Sequence, residues 1–64
     1  MGLDMRLRHY RRERGMSQRE LAALVKMAPE QLNRYEKGHS QPTLSTTLRL
    51  ARALGVSVAK LLDG

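Results

Sequence analysis

The chain has 64 residues, with twelve Lys and Arg against six Asp and Glu, which gives a net charge of +6 at pH 7. A chain of this length is sufficient for one domain, so we take residues 1–64 as a single unit. The absence of cysteine excludes disulfides and thiolate metal sites. The two histidines, His9 and His39, lack the spacing of metal ligands, so we expect no metal and no cofactor.

No stretch of the sequence resembles a targeting or membrane segment. The first six residues already include Asp4 and Arg6, which leaves no apolar core for a signal peptide. No run approaches the eighteen or so apolar residues of a transmembrane helix. We therefore expect a cytoplasmic protein without a membrane partner. The excess of positive charge predicts attraction to a polyanion, either nucleic acid or an anionic membrane surface.

The first predicted helix runs from Leu3 to Arg14, because Leu3, Leu7 and Tyr10 recur at helical spacing, and Gly15 ends it. The basic residues Arg6, Arg8 and Arg12 face away from that stripe. Together with Arg14 they are expected to form a solvated surface.

The second predicted helix has a complete start signal. Ser17 is placed to cap it, and Glu20, three residues later, completes a capping box. The helix is short and ends near Val25. A gap of about three residues follows before the next helical pattern.

The third predicted helix covers Pro29–Lys37, with proline at its first position and Gly38 just past its end. Ala28, Leu32 and Tyr35 are predicted to point inward. On a wheel of 100° per residue the opposite side carries polar residues, namely Glu30, Asn33, Arg34 and Lys37.

Two more helices complete the predicted fold. Thr43 can cap a fourth helix that ends at Gly55, with inward residues predicted at Leu44, Leu48 and Ala51, joined by Leu50 and Leu54. Ser57 can cap a fifth, in which Val56 is predicted to pack on Leu61. No segment alternates with a period of two, so the predicted class is all-α.

Two short helices joined by a three-residue turn, with the small residues Ala22 and Ala23 in the first, are typical of a helix-turn-helix. The stretch from Ser17 to Gly38, with Pro42-Thr43-Leu44 and residues 50–56 after it, resembles the Cro/C1-type (XRE family) phage-repressor domain. The resemblance extends from about Leu3 to Leu62. It implies a compact five-helix, lambda-repressor-like fold in which residues 17–37 form the DNA-binding motif.

The resemblance also implies which residues meet DNA, because the second helix of the motif lies in the major groove. Base-reading positions fall on Pro29, Glu30, Gln31, Asn33 and Arg34. Arginine can grip guanine, asparagine can bind adenine through two hydrogen bonds, and glutamate can accept from cytosine. Glu30 could instead serve only to stabilise the first turn of its helix, and Arg34 could meet a phosphate.

Phosphate contacts are implied at the start of the second helix and after the third. The residues at those positions are Gln18, Arg19, Lys37, His39, Ser40, Gln41 and Thr43. For His39 and Gln41, ordinary loop polarity is an equal alternative.

Arg11 and Glu36 match positions where related repressors have a partly buried ion pair, which would orient the reading helix. Three features depart from the family pattern. Lys26 occupies a turn position that is often glycine, Ala28-Pro29 replaces the usual capping Ser or Thr, and Thr47 replaces a frequent leucine on the fourth helix.

We therefore expect a non-catalytic, sequence-specific transcriptional regulator, with repression as the favoured outcome, associated with the nucleoid through double-stranded DNA. The family generally binds as a homodimer, for which Val56, Val58 and Leu61 offer an apolar patch, unless they belong to the core. No small-molecule ligand is indicated. The alternatives are a protein-interaction module such as an antitoxin, a fragment of a larger regulator, and a membrane-surface helix at Leu3–Arg14.

Overall fold

The computed structural model describes residues 2–62, and over that range the chain forms five α-helices and no strand. The helices are α1 (Leu3–Glu13), α2 (Gln18–Leu24), α3 (Pro29–Glu36), α4 (Leu44–Leu54) and α5 (Val58–Leu62). The predicted all-α class is confirmed. Arg14 and Lys37, predicted as the last residues of α1 and α3, are instead their C-caps. None of the helices in this range is long and apolar enough to cross a bilayer.

Local hydrogen bonds explain where the helices begin. The Ser17 hydroxyl accepts the Glu20 N–H at 3.0 Å, and the Glu20 carboxylate accepts the Ser17 N–H at 2.9 Å, which is the predicted capping box. Thr43 caps α4 by accepting the Thr46 N–H at 3.2 Å. At α3, the N-cap is Ala28. Ala28 is exposed, so its predicted inward position is wrong. The reason is that a residue ahead of the first turn lies off the buried stripe of the helix.

One backbone arrangement ends both α1 and α2. After α1, Gly15 has φ 67°, and the next N–H, that of Met16, donates to the Arg11 carbonyl at 3.1 Å. After α2, the same position is Lys26 with φ 57°, and Met27 donates to the Ala22 carbonyl at 2.9 Å. A lysine therefore occupies the left-handed conformation that glycine adopts without a steric penalty.

Each helix contributes at least one fully buried leucine to a single core. These residues are Leu7, Leu21, Leu32, Leu50, Leu54 and Leu61. Helix α1 packs on α3 and α5, α2 packs on α3 and α4, and α4 packs on α5. Burying a leucine contributes about 1.5–3 kcal/mol. The core therefore depends on all five helices together.

Helix α4 buries a different stripe from the predicted one. Leu44 and Leu48 are 63% and 41% exposed, so their predicted inward positions are wrong. Thr47 is buried instead at 2% exposure, because its hydroxyl donates to the Thr43 carbonyl at 2.8 Å and leaves a methyl group for the core. The predicted inward positions of Ala51, Leu50 and Leu54 are confirmed.

The proposed dimer patch on the last turn is largely part of the core. Leu61 is fully buried and has no surface to offer a second copy, so its assignment as a dimer contact is wrong. Val56 and Val58 are half-buried and pack against the same core. Leu62, 47% exposed, is the large apolar side chain of α5 that faces outward, and the small Ala59 is exposed as well.

A buried ion pair joins α1 to α3. The Arg11 Nε atom lies 2.6 Å from Glu36 Oε2, and Arg11 Nη2 lies 2.9 Å from Glu36 Oε1, so the contact is bidentate. Arg11 Nη1 donates to the Met16 carbonyl at 2.7 Å. The residues are 8% and 3% exposed, respectively. Both ionised groups are thus largely satisfied inside the protein.

Two more arginine side chains donate hydrogen bonds to the C-terminal ends of helices that are distant in the sequence. Arg6, predicted to be solvated, is half-buried and donates to the Leu62 carbonyl at 2.8 Å, which links α1 to the end of α5. Arg49 is exposed on α4, and its guanidinium donates to the carbonyl of Val25, the C-cap of α2.

Removing one member of the buried pair leaves the other charge without compensation. We predict that Arg11→Met lowers the free energy of unfolding by about 3–5 kcal/mol. The double variant Arg11→Met/Glu36→Met should recover much of that loss, since no buried charge remains. Urea denaturation of the single and double variants measures the coupling, and additive losses would contradict the prediction.

Lys26 should be strained by its left-handed backbone conformation, and glycine at this position should relieve that strain. We predict that Lys26→Gly raises the free energy of unfolding by about 0.5–1 kcal/mol, because the steric penalty of the conformation exceeds the extra chain entropy of glycine. Lys26→Ala removes the same charge and keeps the strain, so it serves as the control. Equal midpoints for the two variants in thermal unfolding would count against strain at this position.

The capping box should make stability depend on pH. The Ser17 backbone N–H, and then its hydroxyl, hold the pKa of Glu20 below its ordinary value of 4.5. This contribution is therefore complete above pH 4.5 and is lost as the pH falls through the lower folded pKa. We predict that the stability difference between wild type and Glu20→Gln shrinks on acidification from pH 6 to pH 3. Urea denaturation across that range measures it, and a constant difference would refute the assignment.

Candidate nucleic-acid interface

Helix α3 has one buried side and one open side. Leu32 is fully buried and Glu36 is 3% exposed, so these residues attach the helix to the core. Glu30 and Arg34, on the other side, are exposed. Of the predicted polar flank, Glu30 and Arg34 are therefore open on the surface, one helical turn apart, whereas Asn33 is half-buried.

The other predicted base-reading residues are half-buried: Pro29, Gln31 and Asn33. The side-chain amide of Gln31 donates to the Ser40 hydroxyl at 3.2 Å. This hydrogen bond joins the first turns of α3 to the loop that leads into α4. A partner lying along α3 would therefore meet that loop as well.

The loop after α3 brings together most of the predicted phosphate contacts. Lys37, His39 and Gln41 are exposed, and Ser40 is half-buried. Thr43 is exposed, but its hydroxyl is already used as the N-cap of α4. Arg19 is exposed on α2, the helix that precedes the turn.

The charge on this side of the protein is mainly positive. Within residues 26–43 the exposed basic side chains are Lys26, Arg34 and Lys37, against the single exposed carboxylate of Glu30. The carboxylate of Glu36 is neutralised by Arg11. The surface around α3 is therefore suited to a polyanion.

Gln18 has a role that the sequence did not indicate. Its Nε2 atom donates to Asn33 Oδ1 at 3.1 Å and to Glu36 Oε1 at 3.1 Å, so both amide hydrogens are used inside the protein. Phosphate oxygens are acceptors, and this side chain has no donor left for one. The geometry thus disagrees with the predicted phosphate contact by the Gln18 side chain. No local pattern reports this contact, because the three residues are 15 and 18 positions apart.

Across residues 2–62, no three His, Asp or Glu side chains gather as metal ligands. What the geometry defines is a helix-turn-helix: α2 and α3 pack against each other across a short turn, and α3 keeps a polar flank open. The sequence model of the helix-turn-helix family matches residues 7–61. The chain belongs to that family, in the Cro/C1 (XRE) type that the motif indicated.

The relatives are regulators of transcription rather than enzymes. The chain is 36% identical over 64 residues to the HTH-type transcriptional regulator DdrOP3 of Deinococcus deserti, and it spans half the length of that protein. The fold matches the P22 c2 repressor bound to a synthetic operator, with a TM-score of 0.93 and 25% identity over 100% of this chain and 97% of that one. The biofilm regulator SinR in complex with DNA gives a TM-score of 0.90 and 32% identity over 95% and 98% of the two chains. The lambda-repressor-like fold is confirmed.

Proposed function

We propose that this chain binds double-stranded DNA in a sequence-dependent way, with α3 in the major groove, and that it regulates transcription, most simply as a repressor. The observation that supports this best is the open flank of α3, with Glu30 and Arg34 exposed on a helix anchored by buried residues. The match to the operator-bound P22 c2 repressor supports the same use of the fold.

Base reading is assigned first to the two exposed side chains of this flank. Arg34 can donate two hydrogen bonds to guanine O6 and N7, and Glu30 can accept from the amine of cytosine. Glu30 also lies in the first turn of α3, where the helix dipole stabilises a carboxylate. Pro29 and Gln31 complete the first turns of this surface, with Asn33 beside them.

Most of the affinity for DNA is assigned to contacts with the phosphate backbone of the duplex. Lys37, His39 and Gln41 extend from the loop after α3, and Arg19 extends from α2. The Ser40 hydroxyl lies ahead of α4 near Thr43, whose own hydroxyl is used as the N-cap. These groups flank α3, so a duplex seated on the helix would place phosphates near them. Contacts of this type orient the protein and carry little sequence information.

One domain of this size reads only a few base pairs, so we propose that it acts as a homodimer on inverted half-sites about one helical turn apart. With Leu61 buried, the apolar surface of α5 available to a second copy is formed by Leu62, Ala59 and the outer part of Val58, joined by Val56 just ahead of the helix.

We predict that selection from a pool of random 25-base-pair duplexes enriches an inverted repeat. The affinity for that repeat should fall by about 10³-fold between 50 and 200 mM salt, given six or more phosphate contacts in the dimer. Fluorescence anisotropy at four salt concentrations measures the slope. Absence of enrichment, or a flat salt response, would overturn the proposal and favour a protein-interaction module.

Two charge variants test the interface, and a third serves as their matched control. Lys37→Ala should reduce the salt slope by about one per subunit and leave the preferred sequence unchanged. Arg34→Ala should relax the preference at one base pair per half-site, at a loss of about 1–3 kcal/mol. Arg12→Ala removes the same charge from the exposed face of α1 and should change neither property.

A further inference from the structure

The loop between α3 and α4 is fixed at its two ends by the neighbouring helices. At its start, the His39 N–H donates to the Arg34 carbonyl at 2.9 Å, which ties the loop to the last turn of α3. At its end, Thr43 caps α4, because its hydroxyl accepts the Thr46 N–H. The middle of the loop, residues 40–42, takes part in neither arrangement.

One hydrogen bond ties this middle segment to the rest of the protein. The side-chain amide of Gln31, in the first turn of α3, donates to the Ser40 hydroxyl at 3.2 Å. Within residues 2–62, the backbone groups of residues 40–42 bond to no other backbone group, and no second side chain forms a hydrogen bond with the segment. The hydrogen bonding of the segment therefore depends on a residue of α3.

The same segment has three donors that the described part of the chain leaves unused. The backbone N–H groups of Ser40 and Gln41 have no acceptor between residues 2 and 62. The Ser40 hydroxyl accepts from Gln31, so its own hydrogen is also available. A phosphate oxygen accepts hydrogen bonds and donates none, so it is a suitable partner for any of the three.

We infer that Gln31 is a positioning residue, which holds residues 40–42 so that their donors meet a DNA phosphate when α3 occupies the major groove. This inference rests on the proposed function. The resemblance implied a base contact for Gln31, and the geometry adds this second role. A loop that is already ordered loses less conformational entropy on binding, so the Gln31–Ser40 hydrogen bond raises the affinity for every duplex alike.

A double-mutant cycle on DNA affinity tests the inference. Gln31→Met keeps the length of the side chain and removes the donor, and Ser40→Ala removes the hydroxyl. We predict that each single variant binds the enriched inverted repeat about tenfold more weakly than wild type, and that the double variant is also about tenfold weaker. Fluorescence anisotropy measures the four affinities. Losses that multiply to about a hundredfold would overturn the inference, whether or not Gln31→Met also changes the base preference.

Lys37→Ala is the matched control for this cycle. Lys37 is also a proposed phosphate contact, but it is the C-cap of α3, and its N–H donates to the Asn33 carbonyl at 3.0 Å. Its position therefore does not depend on Gln31. The affinity losses of Lys37→Ala and Gln31→Met should multiply in the double variant. A coupling as strong as that of Gln31 with Ser40 would mean that Gln31→Met disturbs the whole interface, and it would contradict the inference.

A measurement without DNA separates this inference from the proposed function. In the free protein, NMR relaxation should show lower backbone order parameters at Ser40 and Gln41 in Gln31→Met than in wild type, with Lys37 unchanged. Unchanged order parameters at residues 40 and 41 overturn the inference and leave the proposed function intact. Lower order parameters together with no enriched duplex overturn the proposed function and, with it, the role of Gln31 in DNA binding.

Discussion

One buried ion pair attaches α3 to α1. Arg11 extends from α1 and holds both carboxylate oxygens of Glu36, the last residue of α3, while its third nitrogen binds the Met16 carbonyl ahead of α2. A single guanidinium therefore joins α1, the turn before α2 and the end of α3. Ion pairs of this kind contribute little net stability compared with an apolar replacement, but they tolerate few alternative geometries. We infer that this one sets the angle of α3 more than it stabilises the fold.

Most helix boundaries could be predicted because their signals are local. The capping box of Ser17 and Glu20, the proline at the start of α3 and the glycines after α1 and α4 each act within a few residues. Such signals are readable from one short window of sequence. The same locality explains why the predicted ends of α1 and α3, at Arg14 and Lys37, differ from the observed ends by only one residue.

The buried stripe of α4 could not be predicted in the same way. This helix has leucines on more than one side, and periodicity alone does not say which side meets the core. Thr47 is buried in place of Leu44 because a threonine hydroxyl that donates to the backbone of the preceding turn can be buried at little cost in free energy. The position of Leu61 is likewise a result of packing between helices, which the sequence of α5 by itself does not specify.

Long-range polar contacts were the least predictable part of the candidate site. Gln18, Asn33 and Glu36 lie on two helices, and their hydrogen bonds exist only because those helices cross at this point. The resemblance to phage repressors located the residues, but not the direction of their donors and acceptors. The resemblance implied a phosphate contact for Gln18, whose two amide hydrogens are instead used inside the protein.

Helix α2 has no basic residue in its own last turn, and the positive group at its C-cap carbonyl comes from Arg49 on α4. At the other end of the motif, the carboxylate that closes α3 is matched by an arginine from α1. Both electrostatic partners thus lie outside residues 17–37. Grafting that segment alone onto a foreign scaffold would transfer the two helices without the charges that complement them, so in this protein the portable unit is the whole five-helix domain.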